Sequence, residues 1–162
     1  MPRSVLQFNS SRHVAVKNSN QSFIFDTFST INGTTLTLPE AGLYWVECCF
    51  LYSLSLIARG IGINCTVTNP TIISLSVDIY GIAAPGAAAA FHDVITASGG
   101  NVTSTTILAI NTFYPAYVRG LIRVSADNST VTFGASVNSI IAAPTATIRA
   151  DSVATTFRKI SL

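Results

Sequence analysis

Residues 38–56 read LPEAGLYWVECCFLYSLSL, and this stretch decides the fold. After the chain breakers Pro39 and Gly42, apolar side chains recur with the period of two that is typical of a β-strand. One predicted face is wholly apolar and consists of Tyr44, Val46, Cys48, Phe50, Tyr52, Leu54 and Leu56. The opposite face, which carries the only tryptophan, consists of Leu43, Trp45, Glu47, Cys49, Leu51, Ser53 and Ser55. A strand that is largely apolar on both faces is expected at the centre of a sheet, with a further layer over its second face.

A helix is the competing interpretation, because apolar runs do not by themselves distinguish helix from strand. The aromatic residues, the preceding Pro-x-x-Gly and the regular alternation favour a strand. In a small all-β domain, the layer over the second face can be another subunit. We therefore predict a subunit interface on this face, formed by Leu43, Trp45, Glu47, Cys49 and Leu51.

The composition is typical of a folded protein with few charges. The chain has 162 residues, enough for one domain, and 49% of them are hydrophobic while the net charge is only +2, which excludes a disordered chain. Charged residues make up 10%, whereas a typical soluble domain has about 25%. A surface with so few charges favours a protein that is covered by partners. We therefore expect an oligomer or a large assembly.

The remainder of the chain predicts eight to ten short strands and no long helix, as in an all-β, antiparallel β-sandwich. Residues 1–22 are polar and are predicted to form an N-terminal arm, and residues 23–162 a single β-sandwich domain. Asn32-Gly33 predicts a hairpin turn, because both residues tolerate positive φ. Residues 81–90, GIAAPGAAAA, are interpreted as a loop of small residues, and residues 101–110 as a strand.

The residues that usually carry catalysis or bind cofactors are scarce. His13 and His92 are expected to be solvated, and no catalytic, phosphate-binding or calcium-binding motif is present. Cys48 and Cys49 diverge on a strand, so a zinc site with Cys65 is not expected. We therefore predict no enzyme activity, no cofactor and no metal site.

Glu47 is the unusual acid, because an isolated charge in an apolar run is costly to bury. It is either at a wet end of its strand, or paired with an arginine such as Arg119 or Arg123, or part of a polar ring near a symmetry axis. The basic excess is too small for nucleic-acid binding. The apolar stretches are too short and too interrupted to span a membrane, so neither nucleic acid nor membrane is expected as a partner.

The pattern of residues 36–46, LTLPEAGLYWV, resembles the strand-opening motif of C1q/TNF-like jelly rolls and of related β-domains in tailed-phage structural proteins. The strands predicted at residues 117–124 and 130–137, and the ending IRADSV at residues 148–153, are also similar to the phage domains. The resemblance covers roughly residues 34–160. It implies a jelly roll that forms a compact trimer, and a closing strand, residues 153–160, paired antiparallel beside the central strand.

The same resemblance implies a function in a virus particle. We expect a homotrimeric decoration, or cement, protein that stabilises the phage head from the capsid exterior, with the major capsid protein as its partner. Arg3, Arg12 and Lys17 in the arm are expected to dock on the shell. The alternatives are a receptor- or glycan-binding domain of a tail fibre or tail spike and, less favoured because acidic residues are few, a polysaccharide-degrading enzyme.

Overall fold

The computed structural model describes residues 8–9, 15–16, 19–23, 27–56, 60–84, 87–105, 107, 109–138, 145–149 and 152–160. Every helix or strand within those ranges is a β-strand, so the all-β prediction is confirmed. In chain order the strands are β1 Phe8–Asn9, β2 Ala15–Val16, β3 Gln21–Phe23, β4 Ser29–Thr30, β5 Leu36–Leu38, β6 Gly42–Leu54, β7 Gly60–Val67, β8 Pro70–Ala84, β9 Ala87–Ile95, β10 Asn101–Thr103, β11 Tyr114–Val124, β12 Ser129–Asn138, β13 Ala146–Ile148 and β14 Ala154–Ile160.

The strands form two antiparallel sheets. The large sheet has the order β1-β14-β6-β11-β8-β9, and the small sheet has the order β10-β7-β12-β4. Several short strands lie end to end along one neighbour: β13 and β14 along β6, β1 and β2 along β14, and β4 and β5 along β12. β3 pairs with β13. The large sheet therefore has six strand positions and the small sheet has four.

One hydrophobic core lies between the two sheets. Tyr44, Val46, Cys48 and Phe50 of β6 point inward and are buried, as the alternation predicts. Inward side chains of β7 and β12, such as Phe133, belong to the same buried cluster. Each large apolar side chain that is fully buried contributes roughly 1.5–3 kcal/mol. The β-sandwich prediction is therefore confirmed, and β6 lies at the centre of the large sheet.

The closing strand is where the sequence predicts it. β14 pairs antiparallel with β6, from Ala154 opposite Cys49 to Ile160 opposite Leu43. Phe157 is buried, and its ring packs edge-to-face on the ring of Tyr44, with 5.7 Å between centroids. Because β11 occupies the other side of β6, the central strand is hydrogen-bonded along both edges.

The prediction of a loop at residues 81–90 is wrong for residues 81–84 and 87–90, whereas Pro85 and Gly86 lie outside the described residues. The ladder between β8 and β9 continues from Leu75 opposite Ile95 to Ala84 opposite Ala87, so backbone pairing extends the strands through small residues. Its register shifts between Ile79 and Ile82, next to Gly81, which has a φ of 78°. A Cβ at Gly81 would lie 2.1 Å from the Tyr114 ring, so this position requires glycine.

The prediction of a hairpin at Asn32-Gly33 is also wrong, although a turn does form there. Thr34 N–H donates to the Ile31 carbonyl at 3.1 Å, but the flanking strands β4 and β5 both pair with β12 and not with each other. The turn is a bulge in an edge strand. Two features stabilise this bulge: the Ile31 side chain is buried, and the Thr34 hydroxyl donates a hydrogen bond to the Phe133 carbonyl at 2.9 Å.

The strand predicted at residues 101–110 is shorter than expected, because among the described residues of this range only Asn101–Thr103 pairs with β7. Beyond it, Ser104 turns its hydroxyl to the carbonyl of Ile61, at 3.2 Å, while its N–H donates to the same carbonyl at 3.0 Å. These bonds, together with the bond from Ile61 N–H to the Ser104 hydroxyl at 3.0 Å, replace a regular ladder.

Candidate functional site

The outer face of the large sheet, which points away from the core, is the candidate functional site. Adjacent strands place their outward residues in rows across the sheet. One row runs from Thr156 through Glu47, Arg119 and Ser76 to Val94. Polar side chains from β14, β6, β11 and β8 and an apolar one from β9 thus share one continuous surface.

The five residues of the predicted interface all lie on this outer face of β6. Leu43, Trp45, Cys49 and Leu51 are half-buried within the single chain, and Glu47 is exposed. The alternation therefore placed them correctly on one side of the strand. The trimer that would cover them stays a prediction.

Glu47 is exposed, but it lies in the middle of β6 and not at a wet end of the strand. Its Oε1 accepts a hydrogen bond from the Trp45 indole N–H at 2.8 Å. Arg119 lies directly opposite Glu47 in the ladder, but its guanidinium is 3.4 Å from Asp78 Oδ2. The expected pairing of Glu47 with Arg119 or Arg123 is therefore not adopted among the described residues, because Asp78 holds the nearer arginine and Arg123 lies opposite Leu43.

Asp78 joins a histidine and an arginine on this face. Its Oδ1 lies 2.8 Å from His92 Nδ1, and its side chain is only 14% exposed, whereas that of His92 is 61% exposed. The prediction that His92 is solvated is correct, although His92 lies on β9, opposite Asp78. The sequence does not reveal this pair, because only the ladder register places His92 opposite Asp78.

Two shallow depressions flank Glu47. One, of about 220 Å³, is lined by side chains that include Glu47, Cys49, Tyr117, Ala154 and Thr156. The other, of about 280 Å³, is lined by Trp45, Glu47, Thr156, Phe157 and Arg158. Small residues of β14 form part of both linings, while long side chains of β6 and β11 rise around them. The depressions therefore follow from the small outward residues of the closing strand.

Aromatic residues stand at both sides of these depressions. Tyr80 and Tyr117 are each 42% exposed, and their rings pack edge-to-face with 5.8 Å between centroids. On the other side, the Arg158 guanidinium lies 5.9 Å from the centre of the Trp45 ring, a cation–π arrangement. No motif in the sequence singles out Tyr80 or Arg158, which occupy exposed positions of β8 and β14.

The cysteines separate into buried and partly exposed thiols. Burial raises the pKa of Cys48 and of Cys65 to about 12, while Cys49 points to the outer face and is half-buried. No group of three histidine, cysteine or acidic side chains within the described ranges could hold a metal ion. Over the same ranges, no helix is long and apolar enough to span a membrane.

We expect Cys49 to react faster with iodoacetamide than Cys48 or Cys65 in the folded protein at pH 8, because the thiolate is the reactive form. Unfolding should make all three react at similar rates. Mass spectrometry of time-resolved labelling measures each rate. A Cys49→Ser variant should lose the fast reaction, and a folded protein in which Cys65 reacts as fast as Cys49 would contradict the burial described above.

The predicted docking residues Arg3, Arg12 and Lys17, as well as His13, lie outside the described residues. Their role in contacting a shell therefore stays a prediction.

Comparisons with known proteins add no family. No family model and no curated protein matches the chain. Among solved structures, a family two carbohydrate esterase from Cellvibrio japonicus is 13% identical with a TM-score of 0.30, and covers 88% of this chain. A structure of the infectious bursal disease virus Gt strain is 9% identical with a TM-score of 0.25, and covers 93% of this chain. This chain spans 35% and 42% of those chains, and similarities with such low TM-scores carry no argument about function.

Proposed function

We propose that the chain is a structural protein of a phage particle: a trimeric jelly roll that decorates and stabilises the capsid from outside, with the major capsid protein as its partner. The observation that carries this proposal is the outer face of β6. Four half-buried residues and one exposed acid lie there, on the reverse of a strand whose inward side chains are fully buried.

The order of the strands supports the jelly roll. If the β8–β9 hairpin is set aside, eight strand positions remain, four in each sheet. We number these positions along the chain, with β1–β3 as 1, β4–β5 as 2, β6 as 3, β7 as 4, β10 as 5, β11 as 6, β12 as 7 and β13–β14 as 8. Their order is then 1-8-3-6 in the large sheet and 5-4-7-2 in the small sheet. The chain thus crosses between sheets as in two Greek keys, and a jelly roll is an eight-stranded roll of that kind.

The chemistry of the surface supports a partner on the large sheet. Trp45, Leu43 and Leu51 keep part of their apolar surface in contact with solvent in the single chain. A cyclic trimer would remove that surface from water, at roughly 25 cal/mol per Å² of apolar area. The chain's low content of charged residues, 10%, makes such burial less costly than it is for an ordinary surface. In this proposal Arg3, Arg12 and Lys17 of the N-terminal segment contact the shell, while residues 8–9 and 15–16 of that segment pair with β14 in the large sheet.

Replacing Trp45 by Glu tests the proposal. We expect the wild-type protein to have the mass of three chains in light scattering and to occupy shells in multiples of three chains per docking position. Trp45→Glu should be monomeric and absent from shells, because a buried charge without a partner is costly. Circular dichroism and thermal unfolding establish that the variant is folded.

The matched control is Thr66→Glu, which places the same charge at an exposed position of β7 on the small sheet. That variant should remain trimeric. A folded Trp45→Glu protein that still forms trimers, or a wild-type protein that is monomeric and absent from shells, would overturn the proposal.

A second candidate is glycan binding by a tail fibre or tail spike domain. It is favoured by the 280 Å³ depression, where the Trp45 ring, the Glu47 carboxylate and the Arg158 guanidinium lie together. An aromatic face with polar groups beside it is a common way to bind a sugar ring. A monomeric wild-type protein that binds glycans and loses binding on Trp45→Ala would favour this candidate.

A further inference from the structure

The edge strand β9 is much longer than the other edge strands that the structure describes. Within the described ranges, the strands that pair along one side only have two or three residues each, and they are β1, β2, β3, β4, β5 and β10. In the same ranges β9 pairs only with β8, yet it has nine residues. A long edge strand presents a row of unpaired N–H and C=O groups to other chains, whereas a short one does not. This edge therefore requires some protection against pairing with a further strand.

One residue of β9 interrupts the apolar row that faces the core. Ile95 is buried and Phe91 packs against the core, so both lie on the inner side of the strand. Asp93 lies between them in that row, opposite the fully buried Val77 of β8. It is nevertheless exposed, because no described strand lies beyond β9. An aspartate thus occupies a position where the alternation of the strand calls for an apolar side chain. Inward-pointing charges on edge strands are one way in which proteins prevent such pairing.

The backbone of β9 at Val94 points away from β8. A Cβ on Gly120 of β11 would lie 2.1 Å from the Ser74 oxygen, so the Ser74 carbonyl points toward β11. Alternate residues of a strand direct their N–H and C=O groups to opposite sides, so Ser76 also points toward β11. Val94 lies opposite Ser76 in the ladder. Its N–H and C=O therefore belong to the free edge of the sheet.

The Asp93 carboxylate occupies this edge donor. The Val94 N–H donates a hydrogen bond to Asp93 Oδ1 at 2.8 Å. A strand that added to the edge would compete for the same N–H. It would also cover a carboxylate that water now solvates, and a buried charge without a partner is costly. Both effects oppose the addition of a strand.

We propose that Asp93 closes the free edge of β9 to strand pairing, and that without this carboxylate β9 pairs antiparallel with β9 of a second copy. The partner is a second copy because every copy carries the same edge, and a two-fold axis brings two identical surfaces together. Among the described edges, no other strand is long enough to offer a ladder of similar length. This inference goes beyond the proposed function and does not depend on it.

Replacing Asp93 by Val tests the inference, because it restores the apolar row and removes the acceptor for the Val94 N–H. We expect the folded variant to have at least about twice the wild-type mass in light scattering at equal concentration, since a β9 pair joins two copies. Asp93→Lys also removes the acceptor but keeps a charge at the edge, so it should retain the wild-type mass. Circular dichroism and thermal unfolding establish that each variant is folded.

A proline at position 94 tests whether the association uses this edge. Proline has no N–H, and it is tolerated on an edge strand where the N–H points away from the ladder. Asp93→Val combined with Val94→Pro should therefore return to the wild-type mass. The matched control for an added apolar side chain is Thr66→Val, at an exposed position of β7, which has neighbours on both sides. That variant should also have the wild-type mass.

Asp93→Asn is the second test variant, because it removes the charge and preserves the shape of the side chain. It should also associate, and it decides alone if Asp93→Val shows no cooperative unfolding transition. Folded Asp93→Val and Asp93→Asn proteins that both keep the wild-type mass would overturn the inference. Association that survives Val94→Pro, or that Asp93→Lys or Thr66→Val shows equally, would overturn it too. Every mass is compared with that of the wild type, so the result does not depend on whether the wild-type protein is a trimer.

Discussion

Deleting residues 153–162 should convert the chain into an aggregating protein. The deletion removes β14, and with it every hydrogen bond that β6 makes between Leu43 and Cys49 on that edge. It also removes the buried side chains of Val153, Thr155 and Phe157 from the core. An unpaired, flat apolar strand is a template for pairing with other chains. We expect little soluble protein, and no cooperative thermal transition in any that is recovered.

The matched control is a deletion of residues 161–162 alone, which retains β14 entire. That protein should remain soluble, with a melting temperature close to that of the full chain. Expression at the same temperature, followed by a solubility assay and a thermal scan, gives the comparison. A soluble 153–162 deletion with an unchanged melting temperature would show that β14 is dispensable.

Replacing Gly120 by Ala should destabilise the fold strongly through a clash between backbones. Gly120 is buried in β11, and a Cβ there would lie 2.1 Å from the carbonyl oxygen of Ser74 and 2.9 Å from Cα of Leu75. Both atoms belong to the backbone of β8, so no side-chain rotation relieves the contact. Overpacking usually costs about 1–3 kcal/mol, and we expect a loss at or above the upper value.

Chemical denaturation measures this loss, which corresponds to a fall in melting temperature of roughly 6–12 °C for a chain of this size. Gly99→Ala is the matched control, because an added Cβ would meet no atom within 4 Å, although its φ is 78°. That strain should cost about 1–2 kcal/mol. If Gly120→Ala were no less stable than Gly99→Ala, the close approach of β11 to β8 would be wrong.

The sequence alone predicted the elements whose signal is local. The alternation of residues 43–54 predicted β6 and the inward and outward sides of its residues. The closing strand could be placed because the resemblance to jelly rolls supplied a neighbour for it. In both β6 and β14, the side of the strand that carries the apolar side chains in the sequence pattern is the side that faces the core.

Features that depend on ladder register could not be predicted from the sequence. The bond between Asp78 and His92 joins residues fourteen positions apart, and it exists only because β8 and β9 pair in one register. The contact of Thr34 with the Phe133 carbonyl spans 99 positions. Residues 81–90 carry few large side chains, so no alternation marks them as strands. The depressions beside Glu47 likewise arise from two strands that are distant in sequence.

The position of β6 between β11 and β14 has a consequence for synthesis on the ribosome. The central strand is made early, yet its three described strand partners, β11, β13 and β14, are all encoded after residue 113. At about 5–20 residues per second, the roughly 110 residues from Phe50 to Ile160 take about 5–22 s to translate. β6 has no strand neighbour until β11 has been made, and one of its edges lacks β13 and β14 until synthesis is almost complete. The nascent chain must therefore complete its fold after translation, and a chaperone that shields apolar segments would act on β6 first.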